Sequence, residues 1–152
     1  MNINRIARFL FLSTSALTVI FFLVLYLFKT NCFSEIDKLP KLDHSIIFHI
    51  DSVKHYHNSI NVKGWCIKKG ENNKGYAIKA ILWDCSSNKG LYFPVNQSKR
   101  IEVTEAQNDG YNYDFSGFSL SIKKNINKKC NDLYLQLKKE DYTIAVNTGL
   151  SF

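Results

Sequence analysis

From Phe9 to Phe28 the chain runs for 20 residues, FLFLSTSALTVIFFLVLYLF, without one charged side chain. A helix of that length rises about 30 Å, the thickness of the hydrocarbon layer of a bilayer. Fourteen of the twenty are Leu, Phe, Val or Ile, together contributing about −4 to −8 kcal/mol towards insertion. Ser13, Thr14, Ser15 and Thr18 offset part of this, although hydroxyls can bond back to the helix backbone. The competing reading is a cleaved signal peptide. The run exceeds the ~7–15 apolar residues of a signal core, and no small-x-small cleavage site follows in Phe28-Lys29-Thr30-Asn31-Cys32. The sequence therefore predicts an uncleaved signal anchor: residues 1–29 as a short cytoplasmic tail and one transmembrane helix. Its first expected partner is the lipid bilayer.

Charge does not fix the orientation, because Arg5 and Arg8 before the span face Lys29, Lys38 and Lys41 after it. An eight-residue tail ahead of a domain of more than a hundred residues favours a cytoplasmic N-terminus, since long domains translocate with little regard to charge. The expected location is the inner (cytoplasmic) membrane, single-pass, with the C-terminal domain periplasmic or extracellular.

All four cysteines, Cys32, Cys66, Cys85 and Cys130, lie beyond the span. In an oxidising compartment they allow three pairings. Cys85 with Cys130 is the preferred disulfide candidate, because both fall at predicted strand–turn junctions. Cys66 reads as a small buried hydrophobe in mid-strand, and Cys32 is placed to bridge a second copy beside the membrane. Zinc is the alternative use, but no CxxC pair occurs. The formal net charge is +7, about +5 without the two N-terminal arginines. Lysine pairs at 68–69, 123–124, 128–129 and 138–139 sit at predicted strand ends, where they suit solubility and edge protection. A sharper reading is attraction to anionic headgroups or acidic glycans. Nucleic acid is not an expected partner on the far side of a membrane.

Residues 30–42 read as a stalk and 43–152 as the extracytoplasmic domain. Past the stalk the apolar period is two, with turn residues every 8–12 positions. Strands are expected at Ile46–Val53, Ile60–Lys68, Ala77–Cys85, Leu91–Val95, Ile101–Thr104, Phe118–Lys123, Leu133–Lys138 and Tyr142–Asn147, and no helix. Leu133, Leu135 and Leu137 alternate with Tyr134, Gln136 and Lys138, the pattern of a half-buried strand. The expected fold class is all-β: an antiparallel, Ig-like β-sandwich preceded by one N-terminal transmembrane helix.

Several short pieces carry a resemblance. They are Asp51-Ser52 at a strand end, Gly64-Trp65, Arg100 with Val103-Thr104, and Ser116-Gly117-Phe118. Together, over residues 46–149, they resemble a bacterial β-sandwich accessory module with Gly-Trp, Arg-x-Asp-Val-Thr and Ser-Gly-Phe elements, found in membrane proteins of surface-polysaccharide assembly. Glu102 stands where the module has Asp, and Cys66 where a small residue such as Ala is commoner. The resemblance implies a non-catalytic role beside a membrane glycosyltransferase, polymerase or acyltransferase. The residues themselves suggest structural duties: Trp65 as an apolar anchor, Gly64 for close backbone approach, an Arg100–Glu102 ion pair along one strand face, and Gly117-Phe118 leading into the core.

Chemistry-bearing residues are sparse. His44, His49, His55 and His57 cluster within fourteen positions, but no carboxylate or further histidine completes a metal set. There is no GxSxG elbow or announced Cys–His pair. Asp84, Asp109 and Asp114 are the carboxylates available for glycoside chemistry, and Asp109 reads as a turn residue. No cofactor is expected, and a small hydrolase is the weakest reading. Asn96-Gln97-Ser98 matches a glycosylation sequon, without meaning in most bacteria. The segment 108–115 (NDGYNYDF) is the ligand-binding candidate: Tyr111 and Tyr113 alternate with Asn112 and Asp114, aromatic faces beside acceptors and donors as a sugar needs. The plainer reading is that one or two of these rings cap the open end of the sandwich. The functional expectation is thus a membrane-anchored, non-catalytic binding module in surface-polysaccharide (O-antigen or capsule) assembly or modification. The alternative is a small membrane-anchored immunity or exclusion protein that blocks a toxin, phage or competing enzyme.

Overall fold

The structure is a computed structural model that describes residues 17–24, 35–123, 131–140 and 142–152. Residues 17–24 form a helical stretch (α1) whose large apolar side chains are all open, from Leu17 at 66% exposure to Val24 at 42%. A helix apolar on every side has no face suited to water. The rest of the expected span lies outside the described residues, and among those described no helix is long and apolar enough to cross a membrane.

The second compact unit begins at Glu35 and is all-β apart from one short helix. Its strands are β1 (Glu35–Ile36), β2 (Lys41–Leu42), β3 (Ile46–His55), β4 (Ser59–Lys68), β5 (Ala77–Asp84), β6 (Lys89–Phe93), β7 (Asn96–Ser98), β8 (Gly117–Lys123), β9 (Asn131–Lys139) and β10 (Tyr142–Ser151). They form two sheets, β1-β6-β5-β9-β10-β2 and β3-β4-β8-β7. Period-two patterning sets what lies between them: Ile60, Val62 and Cys66 of β4 and Phe118, Leu120 and Ile122 of β8 join Ile78, Ala80 and Leu82 of β5 and Leu133, Leu135 and Leu137 of β9 in one core cluster. Phe118 is 2% exposed, as expected of a core residue. Burial of Cys66 pushes its thiol pKa well up, so it is an inert packing group.

Three expectations are corrected. The stalk from residue 35 onward is part of the fold: β1 pairs with β6, and β2 adds to β10 as a parallel neighbour. Ile36 and Leu39 from this segment pack over Ile81, Trp83 and Tyr134 on the outer face of the larger sheet. That cover buries Tyr134 to 8%, and with Gln136 at 2% β9 is buried on both faces rather than half-buried. The expected strand at 101–104 is instead a helix, α2 (Ile101–Gln107). The β-branched Ile101, Val103 and Thr104 suggest a strand. The helix-favouring Glu105-Ala106-Gln107 and a left-handed Asn108 at its C-cap (φ 44°) close a two-turn helix instead. Only Val103 of α2 is buried, against Ile67 and Tyr113 on the outer face of the four-stranded sheet.

Candidate functional site

The outer face of the four-stranded sheet divides into a covered half and an open half. The covered half is where the dispersed Asp51, Gly64-Trp65, Arg100–Thr104 and Ser116–Phe118 pieces meet. A register shift between Ile50 and Ser52 sets off Asp51, and Arg100 Nη1 donates to its Oδ2 at 2.6 Å. Arg100 Nε also donates to Glu102 Oε1, so the expected pair forms, although across the start of α2 and not along a strand. These two carboxylates, Asp51 first, hold the guanidinium above its ordinary pKa.

Trp65 is half-buried beside Ile67, Val103, Tyr113 and Ile47, with the His49 ring stacked at 6.2 Å. Its ladder partner is Gly117. A Cβ at Gly117 would lie 2.7 Å from Arg100 Cγ, so the arginine can cross the sheet only over a glycine. A Cβ at Gly64 would strike the His49 carbonyl oxygen.

The 108–115 loop lies over this half, and its polar groups are largely engaged. Tyr113 is fully buried; its hydroxyl donates to Asp109 Oδ2 (2.8 Å) and accepts from the Gly70 amide (2.9 Å), and desolvation raises its pKa. Asn112 donates its backbone N–H to Asn72 Oδ1 at 2.7 Å and accepts from the Asp114 amide through its own Oδ1. Asp114 accepts from Thr104 Oγ1 at 2.8 Å and faces Lys99 at 3.4 Å. Thr104, foremost, keeps its carboxyl below the usual range. Of the four ligand-binding candidates, Tyr113 is closed off by burial, Tyr111 has an open ring at 42% exposure, and Asn112 and Asp114 keep exposed or half-buried side chains while bonding within the fold.

The open half is a polar platform that sequence reading passed over. Strand alternation turns Asn61 and Lys63 of β4 and Ser119 and Ser121 of β8 outward, and the register lines them up as Asn61 with Ser121 and Lys63 with Ser119. Asn96 of β7 continues the second row beyond Ser119, while Lys54 and Ser52 of β3 extend both rows on the other side. Between them lies a groove of about 150 Å³ lined by Asn61, Lys63, Asn96, Ser119, Leu120 and Ser121. Among the described residues Asn61 Oδ1, like Asn73 Oδ1 and Gln136 Oε1, is shielded from bulk solvent and has no hydrogen-bond partner. Unsatisfied acceptors of this kind are uncommon in folded proteins and costly unless something bonds to them. The sequence signal was the polar alternation Asn61-x-Lys63 and Ser119-x-Ser121 on central strands.

A second polar cluster links the two sheets. Glu71, in the loop after β4, accepts from Tyr76 (2.5 Å) and Tyr142 (2.7 Å) and pairs with Lys68. Lys139 stands 3.8 Å away. The Lys68 bond foremost, then the two phenols, pulls the Glu71 carboxyl down to about 2. Every member is partnered within the cluster, so it reads as a clasp joining the end of β4 and the loop that follows it to the β9–β10 hairpin.

The remaining candidates stay apart. His55 ends β3 and His57 lies in the following turn. Among the described residues no group of three His, Cys, Asp or Glu side chains is placed to hold a metal. Cys85 is exposed, with its thiol 3.5 Å from Asp132 Oδ2, whereas Cys130 lies outside the described residues. No protein-family model, no curated protein and no solved structure matches the chain.

Proposed function

We propose that this chain is a membrane-anchored, non-catalytic binding module whose Ig-like sandwich holds a saccharide on the open half of its four-stranded sheet. The anchor rests on the uncharged run at 9–28 and the all-round apolar α1. The observation that carries the reading is the groove, where an unsatisfied Asn61 carbonyl sits beside a hydroxyl, amide and ammonium array. Sugars present closely spaced hydroxyls that both donate and accept. An array of Asn, Ser and Lys fixed on two central strands meets such groups with little ordering cost. Half-buried Trp65 follows Lys63 on the same outward face of β4. The role in surface-polysaccharide assembly or modification, and the partnership with a membrane glycosyltransferase, polymerase or acyltransferase, follow from the resemblance and are proposed with it.

Cys85 and Cys130 neighbour Asp84 and Asn131 in sequence, which face each other across the β5–β9 ladder. An exported domain is proposed to carry a disulfide there, and non-reducing peptide mapping would detect it.

The reading is tested by affinity electrophoresis of the full-length protein in detergent through gels containing the source cell's surface polysaccharide. Wild type is retarded and Ser119→Trp, which fills the groove, runs freely. Equal mobility of the two with and without polysaccharide would refute it.

A further inference from the structure

We infer that the saccharide taken by this groove is an anionic one, bearing carboxylate or phosphate groups, with Lys63 as the residue that reads its charge. The inference rests on the groove being a saccharide site. It concerns what the groove would select.

Among the described residues, Lys63 is the one charged residue lining the groove. None of the ion pairs among the described residues reaches it. Lys54 lies beside Asn61 on the neighbouring row, so a second ammonium borders the same surface. No carboxylate of the described residues lines the groove. The nearest acid along β3, Asp51, is already engaged by Arg100 at 2.6 Å, and that arginine also takes Glu102. Arg100 shares its single charge between those two acids and offsets only one of them, while the charge bordering Asn61, Ser119 and Ser121 themselves is that of Lys63 and Lys54. A ligand with a negative group beside Lys63 gains a charge-assisted hydrogen bond, about twice the strength of a neutral one. A neutral sugar gains only the hydroxyl and amide bonds.

The experiment uses full-length protein in nanodiscs of zwitterionic lipid. The probes are surface polysaccharide from the source cell, the same material with its carboxylates reduced to alcohols, the same material stripped of phosphate, and vesicles of anionic lipid. Calorimetry is expected to show native polysaccharide binding at least tenfold more tightly than one of the two chemically neutralised forms. The form that loses affinity names the anionic group. Lys63→Met is expected to abolish that preference while retaining the weaker affinity, and added salt to reduce native binding towards the neutral level.

Equal affinity for native and both neutralised forms, with Lys63→Met unchanged, overturns the anionic inference and leaves the saccharide site standing. No binding to any polysaccharide form overturns the saccharide site itself. Lys63-dependent binding to anionic vesicles without polysaccharide binding makes the ligand a lipid headgroup and overturns the inference as stated.

Discussion

Two polar regions lie on one face of the four-stranded sheet, and they differ in whether their hydrogen-bonding capacity is already used. The 108–115 loop looks rich in recognition chemistry, yet Asn112, Tyr113 and Asp114 bond to Asn72, Gly70, Asp109, Thr104 and one another. The groove over Asn61, Lys63 and Ser119 looks bland in sequence, yet among the described residues its shielded Asn61 carbonyl has no partner and its Lys63 ammonium no ion pair. Residue type says what a side chain can do. Its partners say whether that capacity remains for a ligand.

The largest expected effect breaks the covered region. Tyr113→Ala empties a fully buried ring site and orphans the bonds to Asp109 and Gly70, at a cost of about 3–5 kcal/mol. Denaturant unfolding measures it, and a loss below about 1 kcal/mol would show that the loop does not depend on this ring. Next comes Gly64→Ala. Its new Cβ meets the His49 carbonyl and the Phe118 ring, and overpacking of that kind costs about 1–3 kcal/mol. The same unfolding measurement applies, and a neutral result would mean that β3 and β4 separate freely.

The clasp gives a pH signature. The folded Glu71 carboxyl sits at about 2, below its ordinary 4.5. Its contribution to stability is therefore complete above 4.5 and disappears as pH falls through about 2. Glu71→Gln removes that dependence, so the stability gap between wild type and variant is expected to be constant near neutrality and to narrow between 4.5 and 2. A gap that stays constant across that window would contradict the clasp. The smallest effect sharpens the contrast: Tyr111→Ala is expected to change stability by no more than about 0.5 kcal/mol and to leave saccharide binding intact. A binding loss there would return the site to the loop.

Much of this architecture is legible in the sequence, because alternation is imposed by strand geometry alone. Leu133, Leu135 and Leu137 announce β9, and Ile60-x-Val62 announces β4. What local patterning cannot state is the tertiary cover over an outward face. Tyr134 looks solvent-facing until Ile36 and Leu39 are placed over that sheet, and Tyr113 looks available until α2 and Ile67 close around it. The β-branched residues of 101–104 mislead for the same reason, since the left-handed Asn108 and the docking of Val103 decide for helix. Asn61, Lys63, Ser119 and Ser121 are visible as outward residues. Their alignment into one groove depends on the β4–β8 register, which no single stretch of sequence contains.

The most direct test is an amide and side-chain NMR titration of the full-length protein in zwitterionic nanodiscs with fragments of the source cell's surface polysaccharide. The account predicts saturable shifts centred on Asn61, Lys63, Asn96, Ser119 and Ser121, with the side-chain amide of Asn61 among the largest and residues 108–115 nearly still. Shifts centred on Tyr111 with the groove unmoved, or no saturable shifts at all, would contradict it.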